Sequence, residues 1–195
     1  MAAMGLRRTL AVINAMEAER LIGRYAIAGA VAAYNYIEAA VTEDVDILVS
    51  FDSPGLVTGS PGLITLEPIY SFLRKRGYTE HRKEGVLIEG WPVQFLPVAS
   101  DLERDALAEA ETVELEIPGE SSATTRVLRP EHLVAIALKV GRPKDVLRVV
   151  QFVESAAIGA DLLRPVLQRH GLEPAWRAFC RRTGVPDILH RGAPS

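Results

Sequence analysis

Apolar residues recur along this chain in two rhythms, and the switches between them mark out its elements. Over residues 6–23, Leu6, Leu10, Ile13, Met16, Ala18 and Leu21 fall roughly on one helical face, with Gly23 as the stop. The next run predicts a short strand over Tyr25 to Ala28, a turn at Gly29, a helix of small and aromatic residues, and a second strand ending at Ser50. A loop dense in Gly, Pro and Ser, DSPGLVTGSPGL, follows Phe51. Thr65 to Arg76 predicts a helix with Pro68 in its first turn, a basic end that complements its dipole, and Gly77 as the stop. Period-two stretches then predict strands at Tyr78 to Lys83, Val86 to Glu89 and Val93 to Leu96, with turns at Glu84-Gly85 and Gly90-Trp91-Pro92. Ser100 and Glu103 form a capping box that opens a helix to about Ala110, and Glu111 to Ile117 with Thr124 to Leu128 predicts a hairpin. From Pro130 onward the pattern is helical: Pro130 to Gly141, Pro143 to Ser155, Asp161 to His170 and Glu173 to Arg182. The fold class expected is α/β (α+β), a β-sheet flanked by helices, with an α/β core over 1–128 and a helical C-terminal part over 129–195.

Composition adds bounds. With 195 residues, 48% hydrophobic and 24% charged, the chain has the make-up of a folded domain rather than a disordered one. The most apolar stretch, Tyr25 to Val41, is interrupted by Asn35 and Glu38, so no membrane span is expected. Arg7 and Arg8 precede an apolar run, but Glu17 and Glu19 follow at once, which reads as a mature helix and not a signal peptide. Cys180 is the single cysteine, which leaves no internal disulfide and suits a cytoplasmic protein. The four histidines, His81, His132, His170 and His190, have no zinc-ligand spacing. Charge is uneven: residues 1–125 carry 10 Lys+Arg against 19 Asp+Glu, and residues 126–195 carry 12 against 6. An acidic front half and a basic back half suit a metal site facing a polyanion, or simply solvated helix faces.

The candidate chemistry sits in the second strand. Asp44 and Asp46 are two residues apart, so in a strand they share one face while Val45 and Ile47 point to the core. Like charges that close are costly unless a cation lies between them, and a divalent ion is the usual answer. Gly29, just before a helix, offers backbone N–H groups to an anion. A phosphate seat and a metal seat one helix apart suggest a nucleoside triphosphate site. Farther on, Lys139, Arg142 and Lys144 cluster at the joint of two helices with Asp145. They can reach phosphate oxygens as charge-assisted donors, or can serve only as caps of that joint.

On these residues the chain resembles the nucleotidyltransferase superfamily, in its toxin-like branch of abortive-infection and minimal nucleotidyltransferases. That branch shows a GG-x-A turn, a helix and T-x-D-[IL]-D; here Gly29-Ala30-Val31-Ala32 and Thr42-Glu43-Asp44-Val45-Asp46 stand in those places. Its later P-E-[DH]-L, K-L and R-x-K-D segments are matched by Pro130-Glu131-His132-Leu133, Lys139, Arg142, Lys144 and Asp145, with Val140 for the Leu. Ala30 replaces the second Gly or Ser, Ala40 a common basic residue, and Gln94 the third carboxylate of V-[DE]-[LF]-L. Glu89 and Asp101 are the nearest acidic residues in sequence that could substitute for it.

The resemblance implies a mixed sheet flanked by helices and transfer of a nucleoside monophosphate from a triphosphate to a hydroxyl on RNA or protein. It implies Mg²⁺ held by Asp44, Asp46 and Gln94, with the two aspartates catalytic. Gly29, Ala30, Thr42, Lys139, Arg142, Lys144 and Asp145 would bind the nucleotide, and a cognate antitoxin is an expected partner. A neutral Gln94 brings no charge and cannot be a general base, so a catalytically silent nucleotide- or partner-binding member of the fold is the alternative. An RNA-binding accessory protein using the basic C-terminal helices is a third reading.

Overall fold

The computed structural model describes residues 5–38, 42, 44–51, 65–117, 119 and 121–190, and among them are seven strands and eight helices. In chain order these are α1 (Leu6–Ala18), β1 (Tyr25–Ile27), α2 (Gly29–Ala33), β2 (Val45–Val49), α3 (Glu67–Lys75), β3 (His81–Arg82), β4 (Gly85–Ile88) and β5 (Trp91–Pro97). There follow α4 (Asp101–Ala108), β6 (Glu111–Leu115), β7 (Ala123–Val127), α5 (Pro130–Val140), α6 (Pro143–Glu154), α7 (Ala160–Arg169) and α8 (Glu173–Thr183). The strands form one mixed sheet in the order β3-β4-β5-β2-β1-β7-β6. β2 runs parallel to β5, β1 runs parallel to β7, and the other neighbours are antiparallel. This is the mixed α/β class expected, with a helical C-terminal part. The Gly/Pro/Ser loop after Phe51 and Ala40 lie outside the described residues.

The centre of the sheet is apolar on both sides, as strands covered by helices on two faces must be. Tyr25, Ala26, Ile27, Val45, Ile47, Leu48 and Val49 are all buried, and Asp46 is the exception within β2. α1 lays Leu6, Leu10, Ile13 and Met16 on this core, and the buried Thr9 hydroxyl donates to the Gly5 and Ile88 carbonyls, both at 2.9 Å, tying α1 to β4. α5 carries Leu133, Val134, Ala135 and Ala137 inward and packs against α2, α4, α6, α7 and α8. The same apolar core therefore continues from the sheet to Leu163, Trp176 and Phe179. No helix among the described residues is long and apolar enough to cross a membrane.

Several boundaries differ from the sequence reading. α1 ends at Ala18 rather than near Gly23, and α2 is a five-residue helix followed by turns. The β3–β4 turn falls at Lys83-Glu84, because Lys83 takes φ 56° and Gly85 enters β4. β5 starts at Trp91; Pro92 is tolerated because the pairing with β2 begins only at Val93. The four C-terminal helices fall where the Pro and Gly punctuation placed them, and Gly141 caps α5 in the left-handed conformation at φ 70°.

Candidate functional site

A cleft of about 1110 Å³ opens between the sheet and the α5–α6 pair. Asp44, just before β2, and Asp46, within it, both line this cleft, while Val45 and Ile47 are fully buried on the other side. Thr42 braces the first carboxylate, donating from Oγ1 to Asp44 Oδ1 at 3.1 Å. Asp46 is held by the turn before α2: its carbonyl accepts from the Ala28 N–H at 2.8 Å, and a Cβ at Gly29 would stand 2.1 Å from its Oδ2. Burial raises the Asp46 pKa above the ordinary carboxylate range, and the charge of Asp44 raises it further. Lys144, Arg148 and Arg142 pull it back down, which sets these three cations in the electrostatic field of the acidic pair.

The cations come from the α5–α6 joint. Gly141 ends α5, and Arg142 occupies the N-cap of α6 in an extended conformation. Asp145 is buried and holds the joint: its Oδ2 accepts from the Arg142 backbone N–H at 3.3 Å and from Arg142 Nε at 2.8 Å. Arg148, one turn along, approaches Asp145 Oδ1 at 3.6 Å with its side chain 17% exposed. The sequence reading missed Arg148; its only signal is a cation four residues after Lys144 and three after Asp145, on the face of α6 that meets the cleft. Arg142, Lys144, Asp145 and Arg148 all line the cleft. Lys139 does not: it is exposed, about 100° round the helix from Val140, and is absent from the cleft wall.

Gln94 stands on β5 directly beside Asp46 in the parallel register, and it lines the cleft. Its Nε2 donates to Glu84 Oε2 at 3.0 Å, so the amide oxygen is its remaining polar atom. Glu84, on the β3–β4 turn, also lines the cleft, and its charge acts on Arg142 together with that of Asp46. Glu89 and Asp101 lie elsewhere: Glu89 accepts from the Tyr78 hydroxyl and pairs with Arg8, and Asp101 pairs with Arg104. Gly29 and Ala30 face the cleft, and the first N–H groups of α2, which have no intrahelical partner, donate to no N-cap side chain.

Among the described residues no three His, Cys, Asp or Glu side chains converge on one point. The Asp44 and Asp46 carboxylates and the Gln94 amide oxygen, at neighbouring strands of the cleft wall, are all hard oxygen donors. That chemistry fits Mg²⁺, which is commonly held by one or two carboxylates and completes its shell with water and phosphate oxygens.

No family model matches the sequence, and no curated protein matches it. Among solved structures, the chain is similar in outline to the solution structure of the antibiotic-resistance factor ANT(2'')-Ia. The two share 16% identity over 91% of this chain and 96% of that chain, with a TM-score of 0.46.

Proposed function

We propose that this protein is a nucleotidyltransferase that takes a nucleoside triphosphate and transfers the nucleoside monophosphate to a hydroxyl on RNA or protein, as the toxin of a toxin–antitoxin pair. The observation that carries the reading is the shared cleft: Asp44 and Asp46 on one wall, with Arg142, Lys144 and Arg148 on the other. At about 1110 Å³ it exceeds the roughly 300–1,000 Å³ of most small-ligand pockets, enough for a triphosphate and part of an acceptor.

In the reaction, the acceptor oxygen forms a bond to the α-phosphorus while the bond from that phosphorus to the bridging oxygen of the β-phosphate breaks. The hydroxyl proton leaves to water, and pyrophosphate departs with the electron pair. Arg142, Lys144 and Arg148 hold the triphosphate and offset the charge that grows on pyrophosphate, a contribution strongest in a cleft shielded from water. The N–H groups at Gly29 and Ala30 face the phosphates. Asp44, steadied by Thr42, and Asp46 would hold Mg²⁺ with the Gln94 oxygen as a neutral donor. When bound, the ion supplies Lewis acidity and charge neutralisation.

Calorimetric titration with each ribonucleoside triphosphate, with and without Mg²⁺, tests the site. Metal-dependent binding that disappears in the Asp44→Ala/Asp46→Ala double variant is expected. If no triphosphate binds under either condition, the reading is wrong. The amide at Gln94 supports a second reading, a catalytically silent nucleotide binder. Tight binding with no transfer of labelled nucleotide to RNA or protein would favour it.

A further inference from the structure

Large apolar side chains left half-exposed call for a reason when they gather at one place. Among the described residues the exposed large hydrophobics are Val140 at 50%, Leu147 at 61% and Leu162. Val140 and Leu147 both line the cleft that holds the acidic pair. On α5, Leu133, Ile136 and Val140 follow the spacing of a single helical stripe, and all three face the cleft. On α6, Leu147 lies between Lys144 and Arg148 on the same face. The wall thus alternates apolar surface with the cations placed on the triphosphate.

A ligand that satisfies such a wall has an apolar, flat part joined within a few bonds to a polyanion. Resting on the nucleotide reading above, we infer that Val140 and Leu147 form the seat of the nucleobase and ribose, with Lys144 and Arg148 fixing the phosphates beside it. Charge complementarity commits the wall to this occupant: Lys144, Arg142 and Arg148 are three cations against the carboxylates of Asp46 and Asp145, and an apolar acceptor without phosphate would add no negative charge to balance them. The base is gripped by contact with side-chain carbon, so the seat adds affinity that the phosphates alone do not have.

The test compares ATP with inorganic triphosphate, which keeps the phosphates and lacks the base. Both are titrated calorimetrically in Mg²⁺ against the intact chain and a Val140→Ala/Leu147→Ala variant. Both side chains are half-exposed or more on helices, and Ala keeps helix propensity, so the variant retains its fold. The intact chain is expected to bind ATP more tightly than triphosphate. The variant should bind ATP about tenfold more weakly, in keeping with the loss of several buried methylene contacts, with triphosphate affinity unchanged. Equal binding of ATP and triphosphate by the intact chain overturns the inference, as does an ATP affinity that the substitutions leave unmoved. In both cases the nucleotide reading survives. If the intact chain binds neither inorganic triphosphate nor any of the four ribonucleoside triphosphates, the nucleotide reading itself is overturned and the inference with it.

Discussion

Gly29 and Asp46 meet so closely that a Cβ at position 29 would stand 2.1 Å from the carboxylate Oδ2. Gly29 also takes φ 60°, the left-handed region that other residues enter only at a cost. Both facts make Gly29→Ala damaging. The conformational strain alone is about 1–2 kcal/mol, and the collision adds to it by pushing the carboxylate or the turn aside. Urea unfolding should show a loss of at least that size, and triphosphate binding should fall with it. Wild-type stability and affinity in the variant would show that the turn is not built around the carboxylate.

Asp46 is kept in place at an energetic cost. Burial and the neighbouring Asp44 both disfavour its charge, and the three cations of α6 and its N-cap only partly offset them. Asp46→Asn removes that charge with almost no change of shape. The folded chain is expected to gain roughly 0.5–2 kcal/mol, the range common for stabilising substitutions at strained functional positions. Metal-dependent triphosphate binding should be lost at the same time. A variant less stable than the parent would mean that the cations outweigh the burial.

Gln94→Glu restores a carboxylate where the resemblance expects one, beside Asp46 and against Glu84. Without divalent cations the added like charge should lower the melting temperature, by about 2–4 °C for each kcal/mol in a chain of this size. Mg²⁺ should then raise it by more than it raises the parent, since only the variant offers a carboxylate at position 94, beside Asp46. Thermal scans with and without Mg²⁺ decide this. A shift no larger than the parent's would show that position 94 does not face the metal seat.

Much of this site could be read before any coordinates. Alternation at period two put Asp44 and Asp46 on one face, and that face is the cleft wall. Pro130, Gly141 and Pro143 punctuated the α5–α6 joint, because Pro opens helices and Gly closes them in the left-handed conformation. What was not legible depends on distant neighbours. The parallel pairings of β1 with β7 and of β2 with β5 join segments far apart in sequence, and no local pattern reports them. Arg148 reads locally as a solvated helix residue until Asp145 and Asp46 are seen beside it. Glu84 reads as a turn residue until Gln94 is found to donate to it. Lys139 shows the converse: one residue from Val140, it faces away from the cleft because successive helical side chains diverge by about 100°.

Asp145 links stability to the cations. It is buried, it accepts from the backbone and the side chain of Arg142, and it lies 3.6 Å from Arg148. Asp145→Ala removes the cap of α6 and the charge that positions both guanidinium groups. A loss of about 1–3 kcal/mol in urea unfolding is expected. Asp145→Asn, which keeps the shape and one acceptor oxygen, should recover part of it. Equal losses in the two variants would place the effect in packing rather than in the cap.

His132 gives the fold its own response to acid. It is 0% exposed in the wall of α5, and neither ring nitrogen has a hydrogen-bond partner. Burial lowers its pKa below the usual 6.5; Glu109 and Asp105 pull it up, and His170 and Arg129 push it down. Well above pH 6.5 the ring is neutral in both the folded and the unfolded chain and adds no pH dependence to stability. As the pH falls below 6.5, the unfolded chain takes up a proton that the folded chain refuses, so stability drops until the depressed folded pKa is reached. The slope from this one group reaches at most about 1.4 kcal/mol per pH unit. His132→Leu fills the same apolar site and removes the proton. Urea unfolding at about pH 7.5 and pH 5.5, spanning the free-histidine pKa, should show the parent losing more stability than the variant. Equal losses would show that His132 binds its proton alike in both states, with water or a neighbour reaching the ring.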